Sequence, residues 1–231
     1  MKIDIWSDVA CPFCYIGKRH LEAALEQFPH KNDVQVTWHN FELDPNAARD
    51  NKEDQYTLLA NKYGMSREQA IENTERVAAS GEKAGLAFEF NKVIPTNTFD
   101  AHRMIQFAAQ HGKQDEMEER LFAAYFMEGK HISNRETLLA IAAELGLDAT
   151  EVLNSDAYTK EVRKDEADAQ SLGIRGVPFF VFDMKYAVSG AQPVDAFTQT
   201  LQKVWEEAHP PVELIQTGDK GETCEDGSCA V

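Results

Sequence analysis

The feature that most constrains this chain is a pair of cysteines two residues apart, Cys11-Pro12-Phe13-Cys14, set between a short apolar segment and a run with helical spacing. On the N-terminal side, Ile3 and Ile5 bracket a polar residue, which reads as a short buried strand. From about Pro12 to Phe28, Ile16, Leu21, Ala24 and Leu25 fall on one helical face. Pro12 suits a first helical turn, where a missing N–H costs nothing. A cysteine immediately before a helix faces unpaired backbone N–H groups and the positive end of the macrodipole, worth roughly 0.3–1 kcal/mol to a negative charge. Cys11 is therefore the expected nucleophile, and Cys14, one turn deeper, the expected resolving thiol that attacks a mixed disulfide on Cys11. The same spacing suits half of a zinc site, but a pair that follows a strand and opens a helix differs from a knuckle loop, and no metal is expected.

The rest of the chain reads as scaffold for this pair. Val34 to Trp38 alternates apolar and polar residues and continues through His39 and Phe41, which completes a strand-helix-strand unit. From about Asp44 to Ser155 the pattern is almost wholly helical. Ser66 with Gln69 forms a capping box for a helix that stops near Gly85, and later helices close at Gly112, Gly129 and Gly146. A helix from near Tyr158 to Leu172 precedes strand signals at Phe179 to Phe182 and Ala187 to Ser189, with a turn at Asp183 to Lys185. A last helix from about Val194 to Ala208 is stopped by Pro210-Pro211. This order matches an α/β chain with a thioredoxin fold, a large all-helical insertion domain and a flexible C-terminal tail. The expected parts are 1–45 and 156–209 for the thioredoxin fold, 46–155 for the insertion, and 210–231 for the cysteine-containing tail.

Composition narrows the setting. A chain of 231 residues that is 43% hydrophobic can bury a sizeable core without disulfide staples. Charges interrupt the apolar residues from Met1 to Asp8, and no later run is long and apolar enough to span a membrane, so a cytoplasmic protein with no membrane partner is expected. The net charge of −16, from 23 basic and 39 acidic residues, repels phosphate backbones, and nucleic acid is not an expected partner. The four cysteines form two close pairs at opposite ends, and in a reducing compartment such pairs serve redox chemistry or metals more than structure.

Three ordered motifs carry a resemblance: Ser7-Asp8-Val9-Ala10-Cys11-Pro12-Phe13-Cys14-Tyr15-Ile16-Gly17, Asn97-Thr98-Phe99-Asp100-Ala101-His102-Arg103 and Gly176-Val177-Pro178-Phe179-Phe180. Together they resemble the DsbA-like family, specifically its FrnE-type branch, across essentially the whole chain. The resemblance implies thiol-disulfide exchange, reduction or isomerisation with Cys11 and Cys14 as catalytic residues. It implies a cis Pro178 beside the nucleophile, and a Val177 backbone that pairs with an extended substrate. Pro12 and Phe13 would also meet substrate, while Asn97, His102 and Arg103 would line the cleft between the two domains. No cofactor is implied beyond redox-active cysteine pairs, with glutathione as a candidate co-substrate. The implied partners are thiol- or disulfide-containing proteins or small molecules. DsbA itself has His where this chain has Phe13, which removes a group that favours the thiolate and leaves the direction of electron flow open.

Cys224 and Cys229 resemble the C-terminal pair of some FrnE-type proteins and are the expected accessory redox couple. Gly227 and Ser228 permit a tight turn between them, and Glu222, Glu225 and Asp226 disfavour their thiolates. Two other functions remain open. One is a glutathione-dependent isomerase or transferase of the 2-hydroxychromene-2-carboxylate isomerase or kappa type, which shares this insertion architecture and a motif like that at Asn97, although those isomerases usually place Ser at the first motif position. The other is a chaperone-like binding protein with incidental cysteines.

Overall fold

Strand β1 (Lys2–Ser7) lies at the centre of a four-stranded sheet, flanked by β2 (Gln35–Asn40) in parallel and β3 (Phe179–Phe182) antiparallel; β4 (Tyr186–Ser189) closes the order β2-β1-β3-β4. These relations come from a computed structural model, which describes residues 1–210. The parallel pair needs a crossover, and helix α1 (Pro12–Gln27) supplies it. Between β2 and β3 run α2 (Gln55–Tyr63), α3 (Arg67–Lys83), α4 (Phe99–Ala109), α5 (Gln114–Phe126), α6 (Arg135–Glu144), α7 (Thr150–Leu153) and α8 (Thr159–Ser171). Helix α9 (Val194–Ala208) follows the sheet. This is the expected α/β thioredoxin fold with a helical insertion. The tail with Cys224 and Cys229 lies outside the described residues.

Local signals account for the boundaries. Ser66 Oγ accepts from the Gln69 amide at 3.2 Å while Gln69 Oε1 accepts from the Ser66 amide at 2.9 Å, which completes the capping box at the start of α3. Asp54 caps α2 through the Thr57 amide at 2.8 Å. The helix then ends at Gly64, whose φ of 64° is readily adopted only without a Cβ.

Helix α1 belongs to two cores at once. Its later residues, Leu21 and Ala24, pack with Ile3, Ile5, Phe180, Phe197 and Leu201 between the sheet and α9. Its first turns, with Cys14, Tyr15 and Ile16, pack instead against Leu121, Phe122 and other buried side chains of the helical segment. Lys18, buried on α1, ties the two regions together through Glu22, Asp115 and Glu119, and Trp38 Nε1 donates to Asp115 Oδ1 at 2.9 Å. Gly17 allows the close approach of α1 to β3, since a Cβ there would lie 3.0 Å from Phe180 Cζ and 3.2 Å from Pro178 Cγ. The N-terminus of α1 is thereby fixed at the junction of sheet and insertion. Among the described residues no helix is long and apolar enough to cross a membrane.

Candidate active site

Cys11 is the N-cap of α1, with extended backbone (φ −98°, ψ 109°), Pro12 immediately inside the helix and no side chain capping the first amides. Its position is held by its own N–H, which donates to Asp8 O at 2.9 Å. The Val177–Pro178 bond is cis. This peptide brings the Val177 carbonyl to the nucleophile motif, and Cys11 Sγ donates to it at 3.6 Å. Cys11 keeps 4% of its surface exposed and lines a cavity, whereas Cys14 has no exposed surface. Both are free thiols.

Beneath the pair lies a fully packed polar cluster. Burial pushes the Cys14 thiol well above its ordinary range and the neighbouring Cys11 adds to this, while the Asp8 amide and the Ser7 hydroxyl act against it. Ser7 Oγ in turn donates to Glu118 Oε1 at 2.6 Å, and burial raises the Glu118 carboxyl to about 7. His102 Nε2 stands 3.3 Å from Asp8 Oδ1, and its Nδ1 lies 3.1 Å from Asn40 Oδ1. An oxygen partner on Nδ1 and a carboxylate within ion-pair reach of Nε2, which makes no hydrogen bond of its own, suit an imidazolium. Burial opposes that charge, but the Asp8 carboxylate prevails, raising His102 and lowering Asp8. Asp8 also accepts from the amides of Ala10 at 3.2 Å and Leu43 at 2.7 Å, so it pins both the approach to Cys11 and the loop after β2.

The expected site residues thus fall into two groups. Cys11, Pro12, Phe13 and Val177 line one cavity of about 560 Å³, with Pro178 buried directly after Val177. Asn97, His102 and Arg103 stand behind its wall. Asn97 Nδ2 donates to Glu42 Oε1 at 3.3 Å, and its Oδ1 accepts from the Phe99 amide at 3.0 Å where α4 begins. Arg103 is buried and engaged by Asp100 at 2.9 Å, Ala157 O at 2.7 Å, Ser155 O at 2.5 Å and Val152 O, which fastens the segment that leads into α8. Replacing His102 with alanine leaves Asp8 as a buried charge without its partner. The expected cost is about 3–5 kcal/mol, read as a lower denaturant midpoint with little change in the substrate concentration needed for half-maximal rate.

Two residues of the cluster do not stand out in the sequence. Ser7 adjoins the cysteine pair only as part of the first motif. Glu118 carries a weak signal, because it shares the helical stripe of Leu121, Phe122 and Tyr125 and is a charged residue on an apolar face. The cavity wall from α2 and α3 carries none, since Leu59, Ala70 and Val77 read as ordinary helix-packing residues. Among the described residues no group of three or more His, Cys, Asp or Glu side chains is placed to hold a metal ion.

Comparison with known proteins extends this geometry. A family model described as a DSBA-like thioredoxin domain matches residues 2–202. A crystal structure of a probable DsbA oxidoreductase from Streptomyces coelicolor is similar over 100% of this chain and 99% of its own, with 41% identity and a TM-score of 0.86. The uncharacterized protein YwbO of Bacillus subtilis (strain 168) is 28% identical over 86% of this chain and 94% of its own length. The cytosolic disulfide reductase DsbM from Pseudomonas aeruginosa, solved with GSH, shares the fold at 20% identity and a TM-score of 0.63, over 89% of this chain and 100% of that one.

Proposed function

Because this chain belongs to the DSBA-like thioredoxin domain family, we propose that it is a thiol-disulfide oxidoreductase in which Cys11 attacks and Cys14 resolves. The observation that carries the reading is the asymmetry of the pair: a cavity-facing thiol at a helix N-terminus, backed by a second thiol with no exposed surface. In the reducing direction the Cys11 thiolate attacks a substrate disulfide, forms a Cys11 mixed disulfide and releases the first substrate thiolate. Cys14 then loses its proton and attacks Cys11 Sγ. That step forms the Cys11–Cys14 disulfide and releases the second substrate thiolate, so the protein gives up two electrons and the substrate gains them. The same steps run backwards when an oxidised pair meets a substrate dithiol.

The Cys14 proton needs an acceptor within the buried cluster. Glu118, raised to about 7 and reached through the Ser7 hydroxyl, is suited to this because it exchanges its own proton near neutral pH. Phe13, Pro12 and Val177 border the space that a substrate enters, and the Val177 backbone offers polar groups to an extended chain. Cys224 and Cys229 complete the reading as an accessory couple that passes electrons to or from Cys11. A cytoplasmic setting suits a pair used as a dithiol, with glutathione or a second thiol protein as the exchanging partner.

Replacing Cys14 with serine tests the reading. The attacking thiol stays and the resolving one is lost, so mixed disulfides are expected to accumulate on Cys11, where peptide mass spectrometry identifies them. Captured proteins, glutathione or Cys224 and Cys229 of the same chain each define the electron partner. Adducts confined to Cys224 or Cys229 with Cys11 left unmodified, or no adduct with any disulfide offered, would sink the assignment.

A further inference from the structure

The cavity beside Cys11 has a composition that bears on what the reacting sulfur carries. Six large apolar side chains are exposed among the described residues, and three of them, Phe13 at 46%, Leu43 at 41% and Tyr63 at 62%, stand on this one cavity. Such clustering on a chain of high net charge marks a contact surface. Inside, Leu59, Ala70, Val77 and Phe90 continue the apolar lining. Two polar residues of the wall are already occupied. Asn73 Nδ2 donates to Met65 Sδ at 3.3 Å, and Thr74 Oγ1 donates to the Ala70 and Ile71 carbonyls at 3.1 and 2.8 Å.

The Asp8 and Asp44 carboxylates of the lining accept from backbone amides and Thr96 Oγ1 donates to Ser133 Oγ, and two further polar groups, on Gln55 and Lys62, are offered to a ligand. Gln55 Oε1 is buried with no hydrogen-bond partner among the described residues, and it offers an acceptor to an N–H or O–H. Lys62, exposed at the rim 5.9 Å from the Tyr63 ring, is the lining's cation and makes no salt bridge with a described carboxylate. A volume of about 560 Å³ fits a small molecule rather than a folded chain.

We infer that this cavity is a substrate pocket for low-molecular-weight disulfides whose sulfur carries a bulky apolar group, an N–H or O–H donor and a carboxylate. The inference rests on the dithiol reading of Cys11 and Cys14. The apolar group enters between α2 and α3, the donor meets Gln55, the carboxylate meets Lys62, and the disulfide lies against Cys11. Reduction proceeds by the same two exchanges, attack by Cys11 and resolution by Cys14, with two electrons passing from the pair to the ligand disulfide. A ligand without the bulky apolar group, such as glutathione, would leave the stretch lined by Leu59, Ala70, Val77 and Phe90 unfilled, so glutathione fits the role of exchanging partner better than that of pocket ligand.

Three symmetrical disulfides with the same reacting thiol test this: those of N-(3-mercaptopropanoyl)phenylalanine, its glycine counterpart and its phenylalaninamide counterpart. Pre-reduced full-length protein with Cys224 and Cys229 replaced by serine is mixed with each, and thiol release is followed by quenched flow, with insulin reduction measured alongside. The phenylalanine probe is expected to react about 10- to 100-fold faster than the glycine probe, the range that burial of one such side chain allows. Ala47→Trp, which projects bulk into the cavity, should erase that ratio. Lys62→Gln, an exposed change, should bring the carboxylate and carboxamide probes to equal rates. Equal rates for the phenylalanine and glycine probes, or faster exchange with long apolar peptides than with either, overturn the pocket while continued insulin reduction leaves the dithiol reading intact. Exchange with no disulfide at all overturns both.

Discussion

Replacement of Cys11 by serine is expected to lower disulfide exchange at least about a thousandfold, to the uncatalysed background. A hydroxyl is far too weakly acidic to replace the attacking thiolate, and Cys14 cannot take over. Its sulfur has no exposed surface, and burial together with the adjacent Cys11 holds its thiol well above the ordinary range. The substitution should not be confused with unfolding. Cys11 is an N-cap without a side-chain hydrogen bond to the first helical amides, and serine is among the residues that prefer that position. The variant should therefore keep or slightly raise its denaturant midpoint while losing turnover. Insulin reduction in parallel with urea melts checks both halves. Retained activity at more than a few per cent of the parent would remove Cys11 from the mechanism.

The asymmetry behind that expectation comes from how α1 is shared. Leu21 and Ala24 anchor its later turns on the sheet, while Cys14 and Tyr15 enter the core of the helical segment. The first turn is thus gripped from both sides, and Pro12 and Phe13 are left facing outward while Cys11 keeps a narrow opening onto the cavity. Neither region alone would create a nucleophile that is open on one side and a resolving thiol sealed on the other.

Much of this is legible in the order of residues alone. The Cys11-Pro12-Phe13-Cys14 run after an apolar strand carries its local geometry in its residue types, since Pro12 suits a first turn and a cysteine before it becomes the cap. The capping box at Ser66 and Gln69 and the stops at Gly112, Gly129 and Gly146, all three glycines with positive φ, are equally local. Helix α2 merges into a broad helical stretch of the sequence because it is short, and its Asp54 cap is one of many acidic residues around it. The order of strands depends on pairing between distant segments, which no local pattern encodes. The same reason separates the candidate site residues. His102 and Arg103 sit in one motif, yet their side chains serve different partners, Asp8 on one side and the carbonyls before α8 on the other. Glu118 reaches Ser7 only because α5 packs against the start of α1.

Glu118 is where stability and chemistry should part most visibly. In the unfolded chain its carboxyl releases a proton near the ordinary value of 4.5, whereas the native state holds it to about 7 because the site is buried. The native state therefore binds more protons between those values. The site's contribution to stability is fullest below about 4.5 and is lost as pH rises to about 7. The difference corresponds to about 3 kcal/mol. Glu118→Gln keeps an acceptor for the Ser7 hydroxyl but never acquires the charge. Relative to the parent, it should gain about 3 kcal/mol at pH 8 over its standing at pH 4, measured by urea melts across that range. Its chemistry should move the other way. Without a proton acceptor next to Ser7, Cys14 attack on a preformed Cys11 mixed disulfide should slow about a hundredfold at pH 7, and the inflection near that pH should vanish from the rate profile. A purely structural Glu118 would give the stability gain with an unchanged rate profile, so the two measurements together decide whether this carboxyl takes the Cys14 proton.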